Sequence, residues 1–278
     1  MLFIVNPISG HGRKKRIISR LTEAGYKVVC TEYAGHAEKL AREAVDSVVV
    51  AVGGDGTVNE VARGLVGTGK TLGIIPCGSG DGLARHLGIS HDLSKALRTV
   101  TAGKVSPLDA GTIDGKLFFS VCGVGFDAVV SERFAKCGRR GLTSYISEGL
   151  KTWAVYAPEK YSIMIDGEKL EHEALFITIG NSNQWGNGAK ITPLADSSDG
   201  ILDITVVDGF KAVELPWLAG RLMTGSAHKS SRVHTYRGQN ITITRPSDGP
   251  AHADGDWFSA GKAIEIKVIP HALNVLVP

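Results

Sequence analysis

Val48-Val49-Val50-Ala51-Val52-Gly53-Gly54-Asp55-Gly56-Thr57-Val58-Asn59-Glu60 decides the fold. Its first half, continuous with Ser47, is an apolar run of strand length, the pattern of a strand covered on both faces of a sheet. Its second half is a glycine-rich turn that opens a helical stretch over about 57–66. The glycines therefore stand at the carboxyl end of a strand, where open α/β sheets bind their ligands. Glycine lets phosphate oxygens reach backbone N–H groups, Asp55 offers a carboxylate to Mg²⁺ carried on a nucleotide, and Thr57 can cap the helix or bond a phosphate. A tight turn followed by a helix cap uses the same letters.

Working outward, apolar runs alternate with amphipathic ones. Strands are expected at Leu2 to Asn6, Tyr26 to Glu32 and Thr71 to Pro76, and helices near 13–24, 36–45 and 93–102, two of them stopped by Gly25 and Gly103. Such alternation argues for a parallel sheet. After Pro107 strand runs follow one another, with hairpin signals at Asp114-Gly115 and Asp166-Gly167. Helices near 127–137, 143–156 and 211–223 interrupt strands at 201–207, 231–236, 240–245 and 263–269. The expected architecture has two domains: an α/β N-terminal domain with a parallel sheet over 1–107, and a mostly antiparallel β domain over 108–270. A closing strand within 271–278 returns to the first.

Composition sets bounds. The 278 residues are 43% apolar and 21% charged, with no run of the roughly 18 apolar residues a membrane helix needs. With no leader pattern at Met1, the expected location is cytoplasmic. A net charge of +3 excludes a dedicated nucleic-acid binder, although Arg13 to Arg16 and Arg139-Arg140 gather positive charge. Cys30, Cys77, Cys122 and Cys137 are widely spaced and read as reduced core thiols. The 35 glycines exceed the roughly 7% average and gather beside Asp, Ser, Thr and Asn, as in backbone built to approach a ligand.

Gly64 to Thr71 matches the Walker A pattern letter for letter, yet it follows a helix and opens a strand, the reverse of a P-loop. A second glycine loop, Gly78-Ser79-Gly80-Asp81, follows the strand ending at Pro76, and Asn6-Pro7-Ile8-Ser9-Gly10 is a third polar loop at a strand end. Ends of parallel strands face one side, so the three loops can line one nucleotide cleft.

In this order the loops resemble the diacylglycerol kinase catalytic-domain family, which includes bacterial lipid kinases and the sphingosine and ceramide kinases. The resemblance covers nearly the whole chain. It runs through N-P-x-S-G at Asn6, G-G-D-G-T-x-N-E at Gly53 and an altered G-T-x-N-D or G-S-G-N loop at Gly78. It continues with G-x-G-F-D-A at Gly123, P-x-A-x-x-x-D-G-x-L-D at Pro193 and D-G-x at Asp254. The first glycine motif alone is shared with NAD kinases and phosphofructokinases.

What the resemblance implies is ATP-dependent, Mg²⁺-assisted phosphorylation of a lipid hydroxyl, of diacylglycerol or a related, sphingoid lipid included. The alternatives are a NAD-kinase-like enzyme and a catalytically silent lipid-binding protein. ATP would be held by Asn6, Ser9, Gly10, Thr31, Gly53, Gly54, Asp55, Gly56, Thr57, Val58, Asn59, Glu60, Gly78, Ser79 and Gly80. Asp81 and Asp127 would serve the substrate side, the lipid lying in the cleft facing the second domain. A metal would fall on the Asp199 carboxylate and on carbonyls near Asp196 and Ile201, and Asp254 and Asp256 would supply the general base. Read without the family, Asp196 to Gly200 is equally a polar turn, Asp254-Gly255 a hairpin turn and Asp127 a helix cap. Asp256 stands where the family commonly has Glu, Asp81 where it has Asn, and Ser198 where it has Asp.

The lipid partner implies peripheral association with the inner membrane surface, and a homodimer is compatible with the sequence. Trp153, Tyr156, Trp217 and Leu218 are candidate apolar walls for acyl chains, or core, and Arg139 and Arg140 candidate headgroup contacts.

Overall fold

The apolar run is a central strand, and residues 49–53 are buried, in the computed structural model, which describes residues 1–8, 14–138 and 142–278. Two units appear, 1–109 with 271–278, and 110–270. In the first, β1 (Leu2–Val5), α1 (Lys14–Glu23), β2 (Lys27–Cys30), α2 (His36–Glu43), β3 (Val48–Gly53), α3 (Asp55–Leu65), β4 (Thr71–Pro76), α4 (Gly82–His86) and α5 (Leu93–Ala102) alternate. The strands pair in parallel in the order β2-β1-β3-β4, so the carboxyl ends of β1, β3 and β4 share one side. Val49 to Val52, Leu72, Ile74 and Ile75 are buried, as expected of strands covered on both faces.

Local chemistry sets the helix positions. Asp92 caps α5 by accepting the Lys95 N–H at 3.0 Å, and Ala96, Thr99 and Val100 form its inner stripe. The Walker-like stretch ends α3 and turns through Gly67 and Gly69, both at φ 71°, into β4. Its Lys70 donates to the Arg42 carbonyl at 3.1 Å.

The second unit follows β5 (Lys104–Ile113), which begins in the first. It contains β6 (Lys116–Phe118), β7 (Val121–Gly125), α6 (Phe126–Lys136), α7 (Leu142–Trp153), β8 (Glu159–Ile165), β9 (Glu168–Ala174), β10 (Phe176–Gly180), β11 (Gln184–Gly186), β12 (Ala189–Lys190), β13 (Leu202–Val207) and α8 (Leu215–Thr224). β14 (Val233–Gly238), β15 (Asn240–Thr244), β16 (Gly249–Ala253) and β17 (Asp256–Ala260) precede β18 (Ala263–Val277), which runs on into the first unit.

One antiparallel layer runs β18-β15-β8-β9 and the other β14-β13-β10-β7-β16-β17. Ile163, Ile243 and Ile264 of the first layer pack in one core with Ile177, Ile204 and Val124 of the second. The Asp-Gly turns expected at 114–115 and 166–167 are present, with positive φ at both residues of each.

Three expectations change. The closing strand is not separate: β18 continues through Pro270 and His271, where φ 50° at His271 interrupts it and Asp109 Oδ1 accepts the His271 N–H at 2.7 Å. The helix near 211–223 is split, a 3₁₀ turn at Ala212–Glu214 preceding α8 with its Pro216 in the first turn. Of the cysteines, all free thiols, only Cys122 is buried, whereas Cys30 is exposed.

Candidate functional site

The glycine loops after β3 and β4 are built against each other. A Cβ on Gly53 would lie 2.5 Å from Thr57 Cβ, so this glycine lets the strand end meet the first turn of α3. A Cβ on Gly54 would stand 3.2 Å from Gly78 Cα, and one on Gly78 2.6 Å from Asp81 Oδ1. Gly80 is held to small size by Asp55 Oδ2, 2.6 Å from its would-be Cβ. Gly56 differs. It is exposed, and nothing lies within 4 Å of where its Cβ would be. The first intrahelical bonds of α3 come from Thr57 N and Val58 N to Gly54 O, at 3.0 and 3.1 Å, so the preceding N–H groups of Asp55 and Gly56 open the helix toward an anion.

Both Asp55 oxygens serve the second loop: Oδ2 accepts from Asp81 N at 2.9 Å and Oδ1 from Gly82 N at 2.7 Å, holding the start of α4. Asp55 thus anchors the second loop through both carboxylate oxygens. Asp81, 2% exposed and at φ 47°, takes the Gly78 N–H on Oδ1 at 3.1 Å and faces His91 Nε2 from Oδ2 at 3.1 Å. Burial first, and then the Asp55 charge, push its carboxyl up to about 6, against the pull of His91. It therefore braces the loop from inside.

Two residues of the nucleotide-side set have structural partners. Val58 is a core side chain at 4% exposure, and Glu60 Oε2 accepts the Ala37 N–H at 3.1 Å, capping α2. Asn6 Oδ1 accepts the Ile8 N–H at 3.0 Å in a local turn, and Thr31 and Asn59 are buried. Ser79 is exposed beside Gly78. Ser9, Gly10, Arg13, Arg139 and Arg140 lie outside the described residues.

In the second unit Gly123 faces Thr178 on β10 and His252 on β16 in register. A side chain there would collide with Asp127 Oδ2 and His252, so the glycine makes room for a buried carboxylate. Asp127 Oδ2 accepts from Thr178 Oγ1 at 2.9 Å and lies 3.1 Å from His252 Nε2, while Oδ1 takes the Ala128 N–H at 2.8 Å at the start of α6. Gly255 N donates to His252 Nδ1 at 3.3 Å, which leaves the proton on Nε2, facing Asp127. A polar relay therefore runs from a buried carboxylate to the turn carrying Asp254 and Asp256. Asp127 acts through it and through the helix start.

Asp254 and Gly255 form the β16–β17 turn, at φ 50° and 86°. The Asp254 carboxylate accepts from Phe119 N, Ser120 N and Val121 N at 2.8, 2.8 and 3.0 Å. The Asp-Gly hairpin turns at 114–115 and 166–167 use the same device, Asp114 accepting from Glu265 N and Asp166 from Gln239 N and Asn240 N, each at 2.9 Å. The Asp254 side chain thus anchors the turn through backbone N–H groups. Asp256 opens β17 and is exposed.

The metal expected near Asp199 meets a donor set already in use. Asp199 Oδ1 accepts the Ile201 N–H at 3.0 Å, Oδ2 pairs with Arg237 Nη2, and Arg237 Nε lies 3.5 Å from Asp203 Oδ2. Asp196 Oδ1 takes the Ser198 N–H and Oγ at 3.0 and 2.7 Å. The Arg237 guanidinium already neutralises the Asp199 carboxylate that a divalent ion would hold, so that carboxylate as placed does not fit one.

An apolar cavity of about 160 Å³ lies between α8 and the outer face of the six-stranded layer, lined by Phe126, Phe176, Trp185, Leu215, Leu218 and Leu222 among others. Leu218 lines this cavity, Trp153 and Tyr156 pack in the neighbouring core, and Trp217 is 45% exposed under the Arg221 guanidinium. His252 and Thr178 carry no local sequence signal of this role. Their partners are distant in sequence, and the only sign of them was the G-x-G-F-D run that supplies Gly123 and Asp127.

Residues 1–113 match the diacylglycerol kinase catalytic domain, and residues 120–277 the YegS C-terminal NAD kinase beta sandwich-like domain. A diacylglycerol kinase of Mycobacterium tuberculosis is 32% identical, the alignment covering 99% of this chain and 94% of that protein. One of Bacillus subtilis is 27% identical over 91% and 88%. A solved diacylglycerol kinase of Bacillus anthracis superposes with a TM-score of 0.79 at 25% identity, over 100% and 96% of the two chains. An NAD kinase of Archaeoglobus fulgidus, solved in complex with ATP, superposes at 0.59 with 12% identity over 99% and 92%, a likeness of fold.

Proposed function

Because this chain belongs to the diacylglycerol kinase catalytic-domain family, we propose that it transfers the terminal phosphoryl group of ATP to a lipid hydroxyl, of diacylglycerol or a related lipid. The observation that carries the reading is the paired glycine loop, with Gly56 in open space at the start of α3. The N–H groups of Asp55 and Gly56 and the Ser79 hydroxyl are suited to phosphate oxygens, and the helix start favours the charge. Mg²⁺ carried on the nucleotide would supply charge neutralisation during the transfer.

The lipid oxygen attacks the γ-phosphorus, the bond to ADP breaks, and the hydroxyl proton passes to a carboxylate, the role we give Asp256. Asp254 and the relay through His252 hold that carboxylate's turn. The apolar cavity suits part of an acyl chain. Val213, Trp217 and Met223, exposed at 81%, 45% and 57% on the other side of the same helical segment, favour docking on a lipid surface. No helix among the described residues is long and apolar enough to cross a membrane.

The test is radiolabelled ATP with diacylglycerol, monoacylglycerol, sphingosine, ceramide and NAD as acceptors, with and without Mg²⁺. A phosphorylated lipid is expected. Label in NAD alone would move the assignment to NAD kinase chemistry, and no product from any acceptor, including with D256E and D81N, would leave a lipid-binding protein.

A further inference from the structure

Two imidazoles and a carboxylate converge at the free edges of the second unit's two sheets. β9 ends one layer and β14 ends the other. His172 on β9 lies opposite Tyr161 and His234 on β14 opposite Val206, both core residues, so the two histidines stand on the core-facing sides of their strands. Their rings are 5.0 Å apart, inclined at 41°. Asp208, just after β13, brings Oδ2 to 3.0 Å from His234 Nε2. One ligand atom from each of His172, Asp208 and His234 lies within 4.8 Å of the other two. Tyr236, two residues along β14, has its hydroxyl 2.8 Å from His172 Nε2 and fixes that ring. Nothing in the proposed phosphoryl transfer uses this cluster.

We propose that His172, Asp208 and His234 bind one divalent first-row transition cation of the zinc class, completed by water, and that this ion clips β9 to β14. Two neutral imidazoles and one carboxylate are the donors such ions prefer, whereas Mg²⁺ takes oxygen almost alone. Metal-to-ligand bonds of about 2.0–2.2 Å set ligand atoms of a tetrahedral site roughly 3.3 Å apart. Asp208 and His234 lie near that spacing at 3.0 Å, and the ligand atom of His172 is within 4.8 Å of both. The Tyr236 hydroxyl supplies the outer partner that orients a metal-binding imidazole. Side-chain exposures of 37% for His234 and 28% for Asp208 leave an entry path. Edge strands tend to open or to pair with other chains, so a link here closes the sandwich where hydrogen bonding cannot.

The test uses the full chain, stripped by chelator and titrated with Zn²⁺ against a chromophoric competitor, with Co²⁺ absorption as the spectroscopic readout. One equivalent should bind, the thermal midpoint should rise by several degrees with Zn²⁺ and stay put with Mg²⁺, and the double variant H172Q/H234Q should bind at least ~10-fold more weakly and lose the Co²⁺ bands. Circular dichroism checks that the variant is folded. Should it not fold, D208N, nearly isosteric, is expected to lose affinity in the same way. Absence of a tight equivalent, or equal affinity and an unchanged Co²⁺ spectrum in a folded variant, overturns the proposal and leaves a hydrogen-bonded polar plug.

Discussion

His252 Nε2 faces Asp127 Oδ2 across 3.1 Å, and both side chains are only 4% exposed. Because Gly255 N donates to Nδ1 of the same ring, the imidazole joins the buried carboxylate to the turn that carries Asp256. D127A removes the acceptor for three buried donors and should cost about 3 kcal/mol in urea unfolding. G123A drives a methyl into the same place and should cost about 1–3 kcal/mol. H252Q is the finer probe. A positioning role predicts a lower kcat with the KM for ATP unchanged, and a merely structural role predicts a lost midpoint with normal kcat in the folded fraction.

The two carboxylates of the last hairpin should separate in the same assays. D256N is expected to leave stability within about 0.5 kcal/mol, as for an exposed side chain, and to reduce kcat by ~100-fold or more. D254N takes one oxygen from three backbone donors and should destabilise by about 1–3 kcal/mol. A folded D254N without turnover beside an active D256N would give the base to Asp254.

The glycines of the nucleotide loops fall into two classes. G53A and G78A place a methyl against Thr57 and Asp81 and should destabilise by about 1–3 kcal/mol even without ligand. G56A meets no atom of the chain, and in a helix alanine is favoured over glycine by up to about 1 kcal/mol, so stability should hold or rise. Its effect should appear in ATP binding, as an increased Kd measured by calorimetry. If G56A bound ATP as well as the parent does, phosphates would not lie at the start of α3.

Asp81 gives the loops a pH dependence. Its folded carboxyl titrates at about 6, above the ordinary value of about 3.9. Between those values the folded chain keeps a proton that the unfolded chain has released, so stability falls as pH rises from about 4 to 6 and then levels. D81N should erase about 2 to 3 kcal/mol of that fall, read as the difference between the two chains' urea midpoints from pH 4.5 to 7.5. Asp203, raised by burial to about 6 as well, leaves a residual slope in the same direction. A D81N profile parallel to the parent's would mean that Asp81 is ionised throughout.

Much of this was written locally in the chain. The strand at Thr71–Pro76 and the helix at Leu93–Ala102 lie where period, Asp92 and Gly103 put them, because nearby residues decide them. α4 is not legible in the sequence: five residues after a glycine loop carry no period, and its start is held by Asp55, 27 positions away. The same limit governs the site. The spacing of Gly53 to Thr57 announced a phosphate-type loop, but which carboxylates point inward depends on partners that sequence distance conceals. Asp55, Glu60 and Asp254 all read as chemistry and all bind backbone N–H groups.

Arg237 offers the last discrimination. It pairs with Asp199 and approaches Asp203 on the facing strand, a compact positive charge among Asp196, Asp199 and Asp203. If the guanidinium fills the role of a divalent ion, Mg²⁺ without nucleotide should not move the thermal midpoint of the parent chain. R237M removes the cation and leaves the buried Asp203 beside Asp199, which should lower the midpoint by several degrees and raise the Asp203 carboxyl further. Millimolar Mg²⁺ should then restore part of the loss, since oxygen ligands with excess negative charge suit a hard cation. A Mg²⁺-dependent rise of equal size in both proteins would instead mean that the ion binds elsewhere, or displaces Arg237 from Asp199. Adding D199N to R237M separates those cases, because rescue by Mg²⁺ should disappear only where Asp199 holds the ion.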